Sequence, residues 1–383
     1  MVNSQADAAE VHVVLPRKDE TVAAGFNPKV HVHMTPMGRV RSPLNLLRVP
    51  ELNRLVRRLN PDIVHFQSGL VWEYGVLYGP HCSVILTIHD VIEHPSWGGW
   101  LGAPAYLARR AMRAVDALIV HGNANRDLLL NTHRKEIGSA TVYSVDHGVI
   151  SRYGQGAART TVPAGGGNVL FFGRIDKYKG IEYLLDAERL LRAAIPGVSV
   201  IVAGSPVRKS YCRPLMERNS TVRFRWGYHD AATVEQLFQW ADVLVLPYVE
   251  ASQSGVLQIG VSFGVPTVAT SVGGLPEAVR HRATGLLVPP RDPAGLAAAI
   301  LEALTDARLR STMIGNIVAE REGRFSWCRI GAQTLAIYRE VIGHHVYTAA
   351  HAEVPLGRRL GGGEIDGCEQ QSDGHAYSAL DRP

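Results

Sequence analysis

The feature that most narrows the folds open to this chain is a repeated pairing of a short, almost uniformly apolar segment with a longer amphipathic one. Val11–Leu15, Ile63–Phe66, Val84–Ile88 and Ala117–Val120 are short and rich in Val and Ile. Leu44–Leu59 lies among them with Leu44, Leu47, Leu52, Leu55 and Leu59 near helical spacing, and Pro61 separates it from the next apolar run. A strand without in/out alternation is buried on both faces, which implies a parallel sheet with helices on each side. The pattern lapses over residues 151–167 into Gly, Ala, Arg, Thr and Pro, the composition of a linker. It restarts with Val169–Phe172, Val198–Ala203, Val243–Leu246, Thr267–Ala269 and Leu286–Val288. Helices fit between them at Ile181–Ala194, Ala232–Trp240 and Gly255–Phe263.

Two open α/β domains of Rossmann type are therefore expected, at 1–150 and 168–326, which suits a length of 383 residues. A last amphipathic helix is expected within 327–345, near Trp327–Ile342. The remainder, 346–383, has no apolar periodicity and is expected to be a disordered tail.

Composition excludes several classes. A formal charge of +5 over this length suits anionic small molecules or an acidic membrane surface, and gives no argument for nucleic acid. Cys82, Cys212, Cys328 and Cys368 are scattered without CxxC spacing, which argues against a zinc site or a disulfide framework and for a reducing compartment. No apolar run approaches the roughly 20 residues needed to span a bilayer, and Met1–Glu10 lacks the basic and apolar regions of a signal peptide. A cytoplasmic location is the expectation.

Two loops carry the chemistry. The first is Phe172-Gly173-Arg174-Ile175-Asp176-Lys177-Tyr178-Lys179-Gly180, between a strand end and a helix start. Ligands of open α/β sheets bind at that carboxyl edge, and helix N-termini present N–H groups to phosphate. Arg174 offers a bidentate fork and Lys179 a mobile point charge, the two usual holders of a diphosphate. The second loop, Pro247-Tyr248-Val249-Glu250-Ala251-Ser252-Gln253-Ser254-Gly255, again joins a buried strand to a helix. Ser252, Ser254 and Gly255 lack bulk, so a ligand can approach the backbone, and Glu250 can accept hydrogen bonds from hydroxyl groups.

From Val169 to Pro290 the sequence resembles the donor-binding domain of the retaining glycosyltransferases of family 4, also called glycosyl transferases group 1. The resemblance rests on Gly173-Arg174-Ile175 with Lys179-Gly180, Ala203-Gly204-Ser205, Ala241-Asp242-Val243 and Pro247-Tyr248, then Glu250 onward. It continues through Gly264–Thr270, Gly273-Gly274-Leu275-Pro276-Glu277 and Thr284–Val288, with Phe325-Ser326-Trp327 before the last helix. It implies the GT-B fold, two Rossmann-like domains facing a cleft, with the final helix packing back on the N-terminal domain. It also implies a nucleoside-diphosphate sugar as co-substrate, no cofactor, no metal, and transfer with retention.

By the same resemblance Gly173, Arg174 and Lys179 hold and neutralise the donor diphosphate, and Ser254 and Gly255 cover the phosphates. Glu250 contacts the transferred sugar. The family usually has a second glutamate eight positions on, at the ribose; Gln258 stands there and accepts a hydrogen bond without charge assistance. Tyr228, followed by His229, falls at the base-contacting loop. In the N-terminal half, Pro61-Asp62-Ile63-Val64-His65 and Leu86-Thr87-Ile88-His89-Asp90 resemble family segments, and His89 takes the position of a histidine that contacts the donor sugar.

Family members usually open with a strand, a glycine-containing loop and a long helix. This chain starts almost directly at the following strand, Val11–Leu15, so an N-terminal domain lacking its first strand and helix is expected. Arg48, Arg54, Arg57 and Arg58 offer a basic face to anionic lipid, with a sugar or lipid-linked sugar as acceptor, or else form a solvated helix face. Trp72, Trp97 and Trp100 are either acceptor-side or core aromatics. Besides transfer in surface polysaccharide or glycolipid assembly, two alternatives stay open: a catalytically silent sugar-nucleotide-binding protein and a GT-B-fold epimerase.

Overall fold

A computed structural model of the chain describes residues 1–16, 25–35, 49–67, 82–91, 113, 115–156, 166–218 and 221–350. It divides into two compact units, one of Met1–Asp146 with the C-terminal helix Trp327–Ala350, the other of His147–Ser326.

The described residues of the first unit form two parallel sheets. β1 (Val11–Pro16) pairs with β2 (Val30–Thr35), with His12 beside His31. β3 (Ile63–Phe66), β4 (Ser83–Ile88), β5 (Ala117–Val120) and β6 (Thr141–Ser144) form the other sheet in that order. Both faces of β4 and β5 are covered, as the unbroken apolar runs require. Val84, Leu86, Ile88, Leu118 and Val120 pack with Leu129 of the helix Asn123–Thr132. On the other face Ile85, Ala117 and Ile119 pack with Ile330, Ile337 and Val341 of the C-terminal helix. That helix runs to Ala350, past the expected end at Ile342. Gly343 lies inside it, which costs about 1 kcal/mol relative to Ala and does not end a helix held by packing. A short helix, Val2–Gln5, precedes β1, and its Ser4 hydroxyl donates to the Trp327 carbonyl at 2.9 Å.

The described residues of the second unit give β7 (Gly166–Phe172), β8 (Gly197–Gly204), β9 (Arg223–Trp226), β10 (Val243–Leu246), β11 (Thr267–Thr270) and β12 (Gly285–Val288). They form one parallel sheet in the order β12-β11-β10-β7-β8-β9. β7 begins at Gly166, so the last two residues of the segment expected as linker are strand. The chain runs outward from β7 through β8 and β9, then returns to the opposite side of β7 with β10. The order therefore reverses between β7 and β10, the place where open α/β sheets bind ligands.

A buried ion pair locks those two strands together. Asp242, just before β10, accepts from the Asn168 amide at 2.9 Å and returns its own amide to the Asn168 carbonyl at 2.8 Å. Arg310, on the helix Ala307–Glu322, donates to the Asp242 carbonyl at 2.6 Å and stands 3.6 Å from its carboxylate. Both side chains are fully buried.

Among the described residues no helix is long and apolar enough to cross a membrane. Trp72, Trp97, Trp100, Leu44, Leu47, Arg48 and the tail from residue 351 lie outside the described residues; the helix Val49–Leu59 carries Arg54, Arg57 and Arg58.

Removing one partner of a buried ion pair leaves an uncompensated charge. Arg310→Met is expected to lower the unfolding free energy by about 3–5 kcal/mol in urea titrations. A loss well under about 1 kcal/mol would contradict a role for the pair in holding β7 to β10.

Candidate functional site

The two loops singled out by residue type are the ones that leave β7 and β10, on either side of the reversal. The first begins at Gly173, whose φ of +127° turns the chain off the strand. Ile175 is bridged to the segment after β8 by its amide to the Ser205 carbonyl (2.8 Å) and by its carbonyl from the Val207 amide (3.0 Å). Arg174 is thus held between two fixed residues and is half-buried. Asp176 caps the tight turn Lys177–Lys179 by accepting from the Lys177 amide, and Gly180, with φ of +63°, leads into the helix Ile181–Ala194.

The second loop is laced to its neighbours through the backbone. The Val249 amide donates to the Tyr178 carbonyl at 2.8 Å, and the Thr270 hydroxyl to the Tyr248 carbonyl at 2.6 Å. The Gly274 amide donates to the Ser252 carbonyl at 3.0 Å. Two glycines make this lacing sterically feasible. A Cβ on Gly180 would stand 2.1 Å from the Pro247 carbonyl oxygen, and one on Gly273 (φ +52°) 1.5 Å from that of Ala251. Only a residue without a side chain fits at either place.

Lys179 is not the mobile point charge that the sequence implies. It is buried, with Nζ 3.6 Å from the centre of the Tyr248 ring and 4.8 Å from that of Tyr178. An aromatic face attracts an ammonium ion, more strongly once both are desolvated. The Tyr248 hydroxyl in turn meets Ser254 Oγ at 3.2 Å, and burial pushes that phenol above its ordinary pKa range, so it stays neutral. Ser254 is the N-cap of the helix Gly255–Ser262, where its side chain accepts from the Leu257 amide. One ring therefore joins the lysine of the first loop to the helix start of the second. A site with a fixed cation beside a helix N-terminus suits a phosphorylated ligand.

The remaining candidates of this unit fall around that centre. Glu250 is exposed on the second loop. Gln258 is buried one turn into the Gly255–Ser262 helix, and its Oε1 meets no hydrogen-bond donor among the described residues. A buried acceptor left unmade costs about 1–3 kcal/mol unless a ligand supplies the donor. Tyr228 follows Gly227 beyond β9 and is the most exposed large hydrophobic side chain among the described residues of the unit, at 65 %. Its loop is tied in by the Gly227 amide, which donates to the Gly204 carbonyl at 2.9 Å.

His89 belongs to the first unit, immediately after β4. Its Nε2 lies 2.9 Å from the Gln67 carbonyl and its Nδ1 3.0 Å from Nε2 of His121. His121 Nδ1 is also 3.3 Å from the Val145 carbonyl. Desolvation lowers the His89 pKa, against the opposing pull of the Gln67 carbonyl and Asp90, and favours the neutral ring. The Gln67 carbonyl can only accept, so the neutral His89 ring carries its proton at Nε2 and presents Nδ1 to His121 as an acceptor. His89 is then fixed as the Nε2–H tautomer by its neighbours. His65 beside it bridges the Tyr338 hydroxyl (2.5 Å) and Thr87 (2.8 Å), and burial depresses its pKa to about 3. The family resemblance picked out His89 but not His121, which follows the end of the adjacent strand and needs the β4–β5 register to be found.

Two family models match the chain: Glycosyl transferases group 1 over residues 166–306, and Glycosyltransferase Family 4 over residues 2–149. An uncharacterized glycosyltransferase of Methanocaldococcus jannaschii is 31 % identical over 176 residues, which are 45 % of this chain and 44 % of that protein. Glycogen synthase of Mycobacterium tuberculosis is 26 % identical over 292 residues, 74 % of this chain and 69 % of the synthase. The chain thus spans less than half the length of the first relative. Among solved structures, HepE of Anabaena in complex with UDP superposes with a TM-score of 0.63 at 17 % identity, covering 86 % of this chain and all of HepE. That is a likeness of fold.

The glycine contacts give a direct check on the loop packing. Gly273→Ala combines a left-handed backbone with a backbone clash, and is expected to cost about 2 kcal/mol or more. Gly315→Ala, at an exposed helix position with open space around it, is expected to be neutral or to stabilise by up to about 1 kcal/mol. Thermal unfolding of the two variants measures the contrast; equal melting temperatures would show that the loop is not held as described.

Proposed function

The chain belongs to the family 4 glycosyltransferases and has their GT-B class of fold, and we propose that it moves a sugar from a nucleoside-diphosphate sugar to a hydroxyl acceptor with retention. The observation that carries this reading is the shared Tyr248 ring, with Lys179 on its face and the Ser254-capped helix at its hydroxyl. Such an arrangement is preorganised for a diphosphate, and UDP is the ligand in the HepE complex.

In this reading Arg174 and Lys179 take the negative charge that builds on the diphosphate as the glycosidic bond breaks. Cations already in place need no reorganisation at that moment, and so stabilise the transition state more than the ground state. The Ser254 and Gly255 amides cover the phosphates, and Gly173 helps to hold the diphosphate. Glu250 accepts from hydroxyls of the transferred sugar, and a ribose hydroxyl gives Gln258 Oε1 the donor that it lacks. Tyr228 stacks on the base. His89, neutral and fixed in one tautomer, contacts the donor sugar near the reacting carbon. The reaction uses no metal and no cofactor beyond the co-substrate. The acceptor is a sugar or lipid-linked sugar of surface polysaccharide or glycolipid assembly. The chain acts in the cytoplasm, at the inner face of the membrane, where Arg54, Arg57 and Arg58 meet anionic lipid.

Binding stabilises the native state by mass action. UDP-, GDP- or ADP-sugars are therefore expected to raise the melting temperature, with one base preferred. With acceptor present, Arg174→Ala and Lys179→Ala are each expected to lower turnover by about 100-fold or more, the usual effect of removing one such charge-stabilising group. Wild-type kinetics in both variants would sink the assignment. Thermal stabilisation without transfer to any acceptor would favour a binding protein, and sugar interconversion without acceptor an epimerase.

A further inference from the structure

Three histidines on the β1–β2 pair play no part in the site above. Parallel register sets His12 of β1 beside His31 of β2, and His33, two residues on, shares the same face. The three rings stack: His12 lies 4.7 Å from His31 and 5.2 Å from His33, centre to centre. Glu10 precedes β1, and its Oε1 is 3.0 Å from His12 Nε2. One ligand atom from each of Glu10, His12 and His31 lies within 4.8 Å of the other two.

We propose that Glu10, His12 and His31 form a binding site for a first-row divalent cation of the zinc class, which staples β1 to β2. Two imidazoles and one carboxylate are a donor set that zinc favours, whereas magnesium prefers oxygen ligands. Around a tetrahedral zinc, bonds of about 2.0–2.1 Å put ligand atoms roughly 3.4 Å apart. Glu10 Oε1 and His12 Nε2, now 3.0 Å apart, therefore part slightly on binding while His31 closes in, which the exposed side chains of Glu10 and His31 allow. The His12 ring is already oriented. Its Nδ1 stands 2.9 Å from His33 Nε2, so with Nε2 on the ion it carries its proton at Nδ1 and donates it to His33. A ligating histidine usually has such a partner on its other nitrogen, and losing the partner costs about 10–100-fold in affinity. His33 is thus the orienting residue, not a ligand. Three protein ligands leave a fourth position open to water.

The test uses the full chain, stripped with a chelator and titrated calorimetrically with ZnCl2, then with MgCl2. One zinc ion is expected to bind and raise the melting temperature, with no response to magnesium. His12→Ala and His31→Ala are expected to weaken binding at least about 100-fold, and His33→Ala about 10-fold or more. His121→Ala, in the other histidine pair of the unit, is expected to leave it unchanged. Because the substituted side chains lie at the surface of a two-stranded sheet, circular dichroism is expected to match the parent. Absence of zinc binding, or binding that survives His12→Ala and His31→Ala, or that is lost in His121→Ala, overturns the proposal.

Discussion

The second unit depends on one steric constraint: the loop Pro247–Ser254 is gripped between two backbones, at Gly180 on one side and Gly273 on the other. Close approach brings the loop's carbonyls within reach of Thr270 and Gly274, and its Val249 amide to the carbonyl of Tyr178. With the backbone so placed, Tyr248 has nowhere to go but inward, and its ring becomes the surface on which Lys179 lies. A lysine held this way has lost most of its rotamer freedom before any ligand arrives. Under the proposed function that entropy, up to about 2 kcal/mol for such a side chain, does not oppose binding.

The sheet beneath supplies the rest of the preorganisation. Strand order reverses between β7 and β10, and both chemical loops issue from the carboxyl ends of these strands. The Asp242–Arg310 pair holds those strands from the opposite end, where Asp242 meets the first residues of β7. The two ends of β7 and β10 are thus fixed by different means, an ion pair at one and glycine-mediated backbone contact at the other.

Much of this was legible in the sequence because it is local. Unbroken apolar runs such as Val243–Leu246 announce strands buried on both faces, and a loop like Gly173–Gly180 shows its charge and its glycines directly. Strands with mixed faces were missed: β2 alternates Val and His, β6 is only four residues long, and β9 alternates Arg with aromatics at the sheet edge. The long-range partnerships were missed as well. Nothing in the sequence ties Asp242 to Arg310, 68 positions away, or His12 to His31 and His33, which become neighbours only through strand register. The burial of Lys179 has the same origin, since its ring partner Tyr248 arrives from the far side of the strand reversal. Gln258 illustrates the converse: its identity was plain, but that its oxygen sits buried without a donor needed the packed helix.

The central claim is that a diphosphate binds where the first loop's cations meet the start of the Gly255–Ser262 helix. A crystal structure of the full chain grown with UDP, GDP or ADP tests it most directly. The account expects phosphate oxygens within about 3 Å of Lys179 Nζ and the Arg174 guanidinium, with Tyr248 still beneath the lysine. A nucleotide bound with its phosphates remote from both cations would contradict it.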